Sequence, residues 1–282
     1  GADDGARVVT ASASGPDASV TEHGLTSVVD SGETVTGTFT VTATDGIASI
    51  TVGGTSFTLA QMQAFATTPG VVNTGEGVLT LTGYDAGTGA VSYSYTLTAT
   101  IDNDSTVPTG ADTVDGTGFN DSVTVTVTGV GGSTASDALV IRAVDDTPTA
   151  VNDGPLGVTE DGAGSIGGNV LTNDAAGADT PAAFVGWSGG DSAAINALNT
   201  YGVLTQNGDG GWSYVLDHSR AATQALTASS SLSFDLHYTM KDADGDPSDA
   251  KLTITVTGAD DGARVVTASA SGPDASVTEH GL

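Results

Sequence analysis

SLSFDLHYTMKDADGDPSDAKLTITVTG, residues 231–258, carries the pattern on which the fold turns. Two apolar/polar alternations, SLSFDLHYTM and AKLTITVTG, flank the acidic loop Lys241–Asp249. Successive side chains of a strand point to opposite faces, so alternation of this length predicts half-buried strands, and the loop folds one back on the other as a hairpin. The same signal recurs outward. GVLTQNGDGGWSYVLD (202–217) turns around Asn207–Gly211, and FVGWSGG (184–190) precedes it. Further towards the N-terminus, DALVIRAV (137–144) faces SVTVTVTG (122–129) across a Gly-Gly-Ser turn. AVSYSYTLTAT faces VLTLTGY across Asp85–Gly89, and SITVGGTSFTL turns at Gly53-Gly54 after ETVTGTFTVTA (33–43). AQMQAFATT (60–68) and SAAINAL (192–198) read as short helical excursions. Short strands about every 8–12 residues with turns between them predict an all-β chain of two tandem immunoglobulin/cadherin-like β-sandwich domains end to end.

Composition agrees and excludes other classes. Of 282 residues, 44 are Thr and 40 are Gly. The β-branched residues suit a pleated surface, while Gly, Asp and Asn supply turns. Lys and Arg number 6 against 34 Asp and Glu, a net charge of −28. Six cations cannot neutralise a phosphate backbone, so nucleic acid is not a partner. There is no cysteine, hence no disulfide and no thiolate-held zinc. No run of 18 apolar residues suggests membrane insertion, and GADDGARVV at the start is not a signal peptide. A chain this acidic repels itself unless a cation binds it, and it supplies few of its own.

Residues 1–25 and 258–282 are identical, GADDGARVVTASASGPDASVTEHGL, at an offset of 257 residues. The chain therefore reads as one repeat plus the opening of the next, a monomeric fragment of a tandem array whose neighbouring domains are its partners. AVDDTPTAVNDGP (143–155) interrupts two strand-rich stretches. The expected division is 1–146, 147–258, and 259–282 as the truncated start of another repeat, expected to be poorly ordered or to dock on a neighbour's sheet edge.

The chemistry lies in the carboxylates. Asp242, Asp244 and Asp246 alternate in a loop that Gly245 allows to curl, a spacing of hard oxygen donors that suits Ca²⁺. The spacing is not that of an EF-hand, since Gly is fourth and Thr253 stands at position twelve; the alternative is a solvated acidic turn. The pairs Asp3-Asp4, Asp145-Asp146 and Asp260-Asp261 each follow an expected terminal strand. Two carboxylates about 5 Å apart repel by roughly 3 kcal/mol at an effective dielectric near 20, so either a cation bridges each pair or Asp is there for its turn preference. Asp153 could reach the same ion as Asp145-Asp146, and the 242–246 loop is expected close to Asp260-Asp261. Asp174 and Asp179 in NDAAGADT form a weaker loop candidate. The histidines lack metal-site spacing and read as surface or strand residues. Trp187 and Trp212 read as core or half-buried, with a sugar platform as the alternative. No nucleophile elbow or other catalytic spacing marks an enzyme.

NDGPLGVTEDGAGSIGGNVLTND, YGVLTQNGDGGWSYVLD and TMKDADGDPSDAKLTITVTGADD together resemble a VCBS repeat over nearly all of 150–261. The preceding stretch, from VTEHGL through GETVTGTFTVTATDGIASITVGGTSFTLAQMQAFAT to VDDTPTA, resembles the repeat domain beside it in giant type I-secreted (RTX-type) bacterial adhesins. That resemblance implies a secreted, cell-surface extender segment of a biofilm adhesin, with Ca²⁺ as cofactor. Cadherin-type folds further imply that Glu22, Glu160 and Glu279, each in a Val-Thr-Glu phrase, complete inter-domain sites; otherwise they are exposed strand-end residues. Two departures stand out. The first domain has TGVGGSTASD (128–137) where the family carries a DADGD-like loop, and no GGxGxD nonapeptide appears. A repeat of two sandwiches should add about 70–90 Å to a rod. The alternative function is a Ca²⁺-dependent carbohydrate-binding module, which a glycan array would distinguish.

Overall fold

The structure, a computed structural model, describes residues 5–11, 15–26, 32–101, 113–115 and 117–262. Asp3, Asp4 and Glu279, and all but the first four residues of the segment 259–282, fall outside the described residues. Contacts group the chain into two compact units that interleave in sequence. The first holds Gly1–Val151, Leu171–Gly186 and Tyr238–Ala250; the second holds Asn152–Val170, Trp187–His237 and Lys251–Leu282.

The first unit contains two packed sheets. One has the order β1 (Arg7–Val9), β3 (Thr34–Thr42), β8 (Ala90–Leu97), β7 (Gly77–Asp85), β6 (Gly70–Asn73). The other runs β2 (Ala18–Thr21), β11 (Thr134–Val144), β10 (Gly118–Gly129), β4 (Ile47–Val52), β5 (Thr55–Thr58), with β9 (Thr113–Asp115) beside β10. Alternation works as its period requires. Every second residue of β8 is buried, placing Val91, Tyr93, Tyr95 and Leu97 against Val123, Val125, Val127, Leu139 and Ile141 in one core. The Gly53-Gly54 turn has φ of +52° and +80°, the left-handed values that a two-residue hairpin turn needs. Helix α1 (Leu59–Gln63) starts at Thr58, whose hydroxyl and the Gln61 side chain cap each other's backbone N–H. The first strand splits between the sheets: β1 is antiparallel to β3, while β2 is parallel to β11. No alternation long enough to reveal that split exists in residues 5–21.

Within the core, the Tyr95 hydroxyl donates to Asp121 Oδ2 at 2.6 Å, and both side chains are buried. Y95F takes that donor from a buried carboxylate. It should lower the unfolding free energy by about 1–3 kcal/mol in urea titrations without changing the slope.

The remaining strands complete the fold. β12 (Asp153–Thr159), β18 (Pro247–Thr257), β17 (Ser231–Lys241) and β14 (Ala183–Trp187) form one sheet in that order. β13 (Ser165–Asn169), β16 (Gly211–Leu216) and β15 (Gly202–Gln206) form the other. Helix α2 (Ser192–Leu198) coincides with SAAINAL. In the second unit Trp212, Tyr214 and Leu216 are buried from alternate positions of β16, and the Trp187 indole N–H donates to the Asn207 carbonyl at 3.1 Å.

Candidate metal centre

Strand pairing brings the first two acids together. β2 lies parallel to β11 with Thr21 opposite Val144, so the residues that follow each strand, Glu22 and Asp145, emerge side by side. Glu22 opens a short 3-10 turn, Glu22–Thr26, and is 1% exposed. Its Oε1 accepts from the Ile101 N–H at 2.5 Å and its Oε2 from the Asp146 N–H at 3.4 Å. Asp146 in turn gathers the segment after β13. Its Oδ2 accepts from the Ala178 N–H at 2.8 Å. Gly177 makes that approach feasible: φ is +76°, and a Cβ there would lie 2.6 Å from Asp146 Oδ2.

One residue further, Asp179 is buried, and its carbonyl accepts from the Ala243 N–H at 3.0 Å. That bond docks the 242–246 loop. Asp242 is 1% exposed, and its Oδ1 accepts from the N–H groups of Gly245 and Asp246 at 3.0 and 2.8 Å. Gly245, at φ +119°, lets the loop wrap its own carboxylate. Glu22, Asp145 and Asp179 each offer an oxygen within 4.8 Å of the other two. All of these residues belong to the first compact unit.

The electrostatics are unfavourable as they stand. Among the described residues, Asp179 Oδ2, Asp242 Oδ2 and both Asp244 oxygens are buried without a hydrogen-bond partner. Burial, followed by the Asp179 charge, pushes the Glu22 carboxyl up to about 8. Burial, followed by Asp244, pushes Asp242 up to about 7 and raises Asp179. Buried carboxylate oxygens left without donors are expensive to keep. The partnerless oxygens belong to residues 179, 242 and 244, and they lie beside the further carboxylates of Glu22 and Asp145-Asp146. An all-oxygen set with spare lone pairs fits a hard divalent cation, and its size and irregularity suit Ca²⁺, which accepts about six to eight oxygens, better than Mg²⁺.

Of the residues singled out by sequence, the structure brings Glu22 and Asp145 together at Asp179, sets Asp146 beside them through its N–H bond to Glu22, and docks the loop carrying Asp242 and Asp244 on the Asp179 carbonyl. Asp246 closes the loop through its backbone, its carbonyl accepting from the Asp242 N–H at 3.2 Å. Asp153 opens β12 opposite Leu252. The expected neighbourhood of the 242–246 loop and Asp260-Asp261 is not found. The loop precedes β18 and the aspartate pair follows it, so the eleven residues of that strand lie between them. Of the weaker candidates, Asp179 joins the centre. Asp174 instead holds the linker: it accepts from the Val151 N–H at 2.7 Å and from the Tyr238 hydroxyl at 3.1 Å. His23, read as an isolated surface residue, is exposed yet places Nδ1 at 3.3 Å from Asp146 Oδ1. Glu160 is buried like Glu22, with its oxygens on the Gln224 side-chain amide at 3.1 Å and the Ala259 N–H at 3.2 Å. Asp260 Oδ1 accepts from the Ala228 N–H at 2.9 Å, and Asp261 is exposed.

Residues 145–255 match the family model of a bacterial Ig domain. The bacterial Ig match opens on Asp145, so it takes in Asp146, Asp179 and the 242–246 loop and leaves Glu22 outside. The chain is all-β, a tandem of Ig-like β-sandwiches. Solved structures similar to it include mouse clustered PcdhgC3 EC1-3, at 12% identity and a TM-score of 0.28, covering 88% of this chain and 67% of that one. Protocadherin gamma C5 EC1-3 is similar at 8% identity and a TM-score of 0.29, covering 88% and 68%. The eight N-terminal Ig domains of Down syndrome cell adhesion molecule are similar at 11% identity and a TM-score of 0.25, and this chain spans 25% of them. No curated protein sequence matches the chain. No helix of the described residues is long and apolar enough to cross a membrane.

Proposed function

We propose that the chain is a structural extender of a bacterial cell-surface adhesin, secreted by a type I route, in which an adhesin-repeat domain precedes a VCBS-type domain. The observation that carries this reading is the set of buried, partnerless carboxylate oxygens on Asp179, Asp242 and Asp244, gathered against Glu22, Asp145 and Asp146. The letter-for-letter repeat at 1–25 and 258–282 supports a role fulfilled by length and copy number, with neighbouring domains of the same array as partners. The bacterial Ig match supports an extracellular setting.

Glu22, Asp145, Asp146, Asp179, Asp242 and Asp244 would hold Ca²⁺, which neutralises their mutual repulsion when bound. The chain's own bonds prepare the place for it. Thr149 exchanges backbone hydrogen bonds with Ala175 at 2.8 and 3.0 Å, and the Ala150 N–H donates to the Ser248 hydroxyl at 3.0 Å. The linker after Asp146 is therefore already tethered by bonds that do not involve these carboxylates. Extracellular modules bind Ca²⁺ at about 10⁻⁴–10⁻³ M. A chain that meets such concentrations only outside the cell would remain self-repelling before export and stiffen afterwards. Small-angle scattering of the chain with 5 mM calcium (about ten times the middle of that range) and with chelator tests this. The maximum dimension and its spread should differ between the two; superimposable curves would reject ion-controlled stiffness.

A further inference from the structure

The repeat has a second joint, after β18, and its backbone repeats the first. β12 lies parallel to β18 with Thr159 opposite Thr257, as β2 lies on β11 with Thr21 opposite Val144. In each case a buried glutamate follows the shorter strand. In each case its Oε2 accepts from the N–H two residues past the end of that register: Asp146 for Glu22, Ala259 for Glu160. This equivalence assigns Gly258 to the place of Asp145 and Ala259 to the place of Asp146. The Asp260-Asp261 pair is therefore displaced two residues along the chain from the position that supplies carboxylates at the first joint.

The difference is built into the packing. A Cβ at 258 would lie 2.5 Å from both the Leu226 Cβ and the Thr227 carbonyl oxygen, so no aspartate fits there. Where Glu22 faces Asp145 and Asp179, Glu160 Oε1 receives an amide N–H from Gln224 at 3.1 Å. A neutral donor thus does for Glu160 what a cation would do for Glu22. A following domain with the sequence of residues 1–146 would also bring few carboxylates to this joint. The copy of Gly5-Ala6-Arg7 puts a cation, Arg264, three residues after Asp261. The β10–β11 hairpin of that domain turns through Gly129-Val130-Gly131-Gly132-Ser133, where the β17–β18 hairpin has Asp242-Ala243-Asp244-Gly245-Asp246. The nearby Asp45 already accepts from the Gly131 N–H.

We infer that the two joints of the repeat are chemically unlike: a divalent cation binds at the Glu22–Asp146 joint, and the Glu160–Ala259 joint is closed by the Gln224 amide without metal. An array of such repeats is stiffened by metal at every second joint only. This rests on the Ca²⁺ reading above. The test is calcium binding by equilibrium dialysis, on this chain and on a tandem of two copies of residues 1–257, in which the second joint has both its neighbours. Bound ions per 257-residue repeat should be equal in the two. In the tandem, E160Q and the exposed-site variant D261N should leave the ion count and affinity unchanged, while D244N lowers both. More ions per repeat in the tandem, or loss of ions with E160Q or D261N, would overturn the inference while leaving the Ca²⁺ reading intact. Absence of calcium from both proteins would overturn the two together.

Discussion

Adding calcium to the chelated chain should raise its melting temperature by roughly 5–10 °C. The figure comes from mass action. A site with a dissociation constant of about 10⁻⁴ M, in about 10 mM free calcium, stabilises the folded state by about 2.7 kcal/mol. A fold of this size gains about 2–4 °C per kcal/mol. The unfolded chain keeps its aspartates but not their convergence, because Glu22, Asp146, Asp179 and Asp242 meet through the β2–β11 register, the Asp146–Glu22 bond, the Ala178–Asp146 bond and the Ala243–Asp179 bond. Magnesium at the same concentration should give a smaller shift, since it demands an octahedral set and sheds water reluctantly. D244N should reduce the calcium shift while leaving the chelated melting temperature the same or higher, because both Asp244 oxygens are buried without partners. Differential scanning calorimetry in calcium, magnesium and chelator reads all three. A calcium shift no larger than that of an equal ionic strength of sodium would show that these carboxylates hold no ion.

The strands were legible in sequence because their physics is local. β8, β10, β16 and β18 alternate in burial as they alternate in letters. Turn chemistry was local too: Gly53-Gly54 and the 242–246 loop fold where their glycines permit. The candidate centre was legible by residue type but only partly by membership. Asp145-Asp146 and the 242–246 loop announce themselves by clustering, and Glu22 by its phrase. Asp179 does so only weakly, as half of the NDAAGADT loop, because what recruits it is a backbone contact of Ala178 permitted by Gly177. The expected approach of the loop to Asp260-Asp261 failed for a geometric reason. A hairpin places its turn at one end of β18 and the chain's exit at the other, which spacing along the sequence does not display. The second joint shows the same gap between letters and register. Asp145-Asp146 and Asp260-Asp261 look alike, yet pairing aligns the first pair with Gly258-Ala259.

Without metal, the chain should lose stability as pH rises from about 4.5 to about 8, and calcium should reverse that slope. The sign is set by where the protons sit. Glu22 ordinarily titrates at 4.5 and in the fold at about 8. Asp242 moves from 3.8 up to about 7, and Asp179 is raised as well. Between those limits the folded chain binds protons that the unfolded chain has released, so each step up in pH favours unfolding. The stabilisation is complete below the unfolded values and gone once pH has passed through the folded ones. The groups that set this facing one another are Glu22, Asp145, Asp146, Asp179, Asp242 and Asp244, with His23 at the rim on Asp146. Calcium needs the deprotonated carboxylates, so its affinity climbs over the same interval and the bound chain gains stability with pH. D179N sharpens the test, since the loss of one buried charge should have opposite signs in the two states. In chelator at pH 8 it relieves Glu22 of the Asp179 charge that repels it and should raise the melting temperature. In calcium it removes a ligand and should lower it. Melting curves of wild type and D179N at pH 5 and pH 8, each with calcium and with chelator, check both signs. A D179N effect of the same sign in all four conditions would mean that Asp179 merely packs, and that its buried oxygen does not wait on an ion.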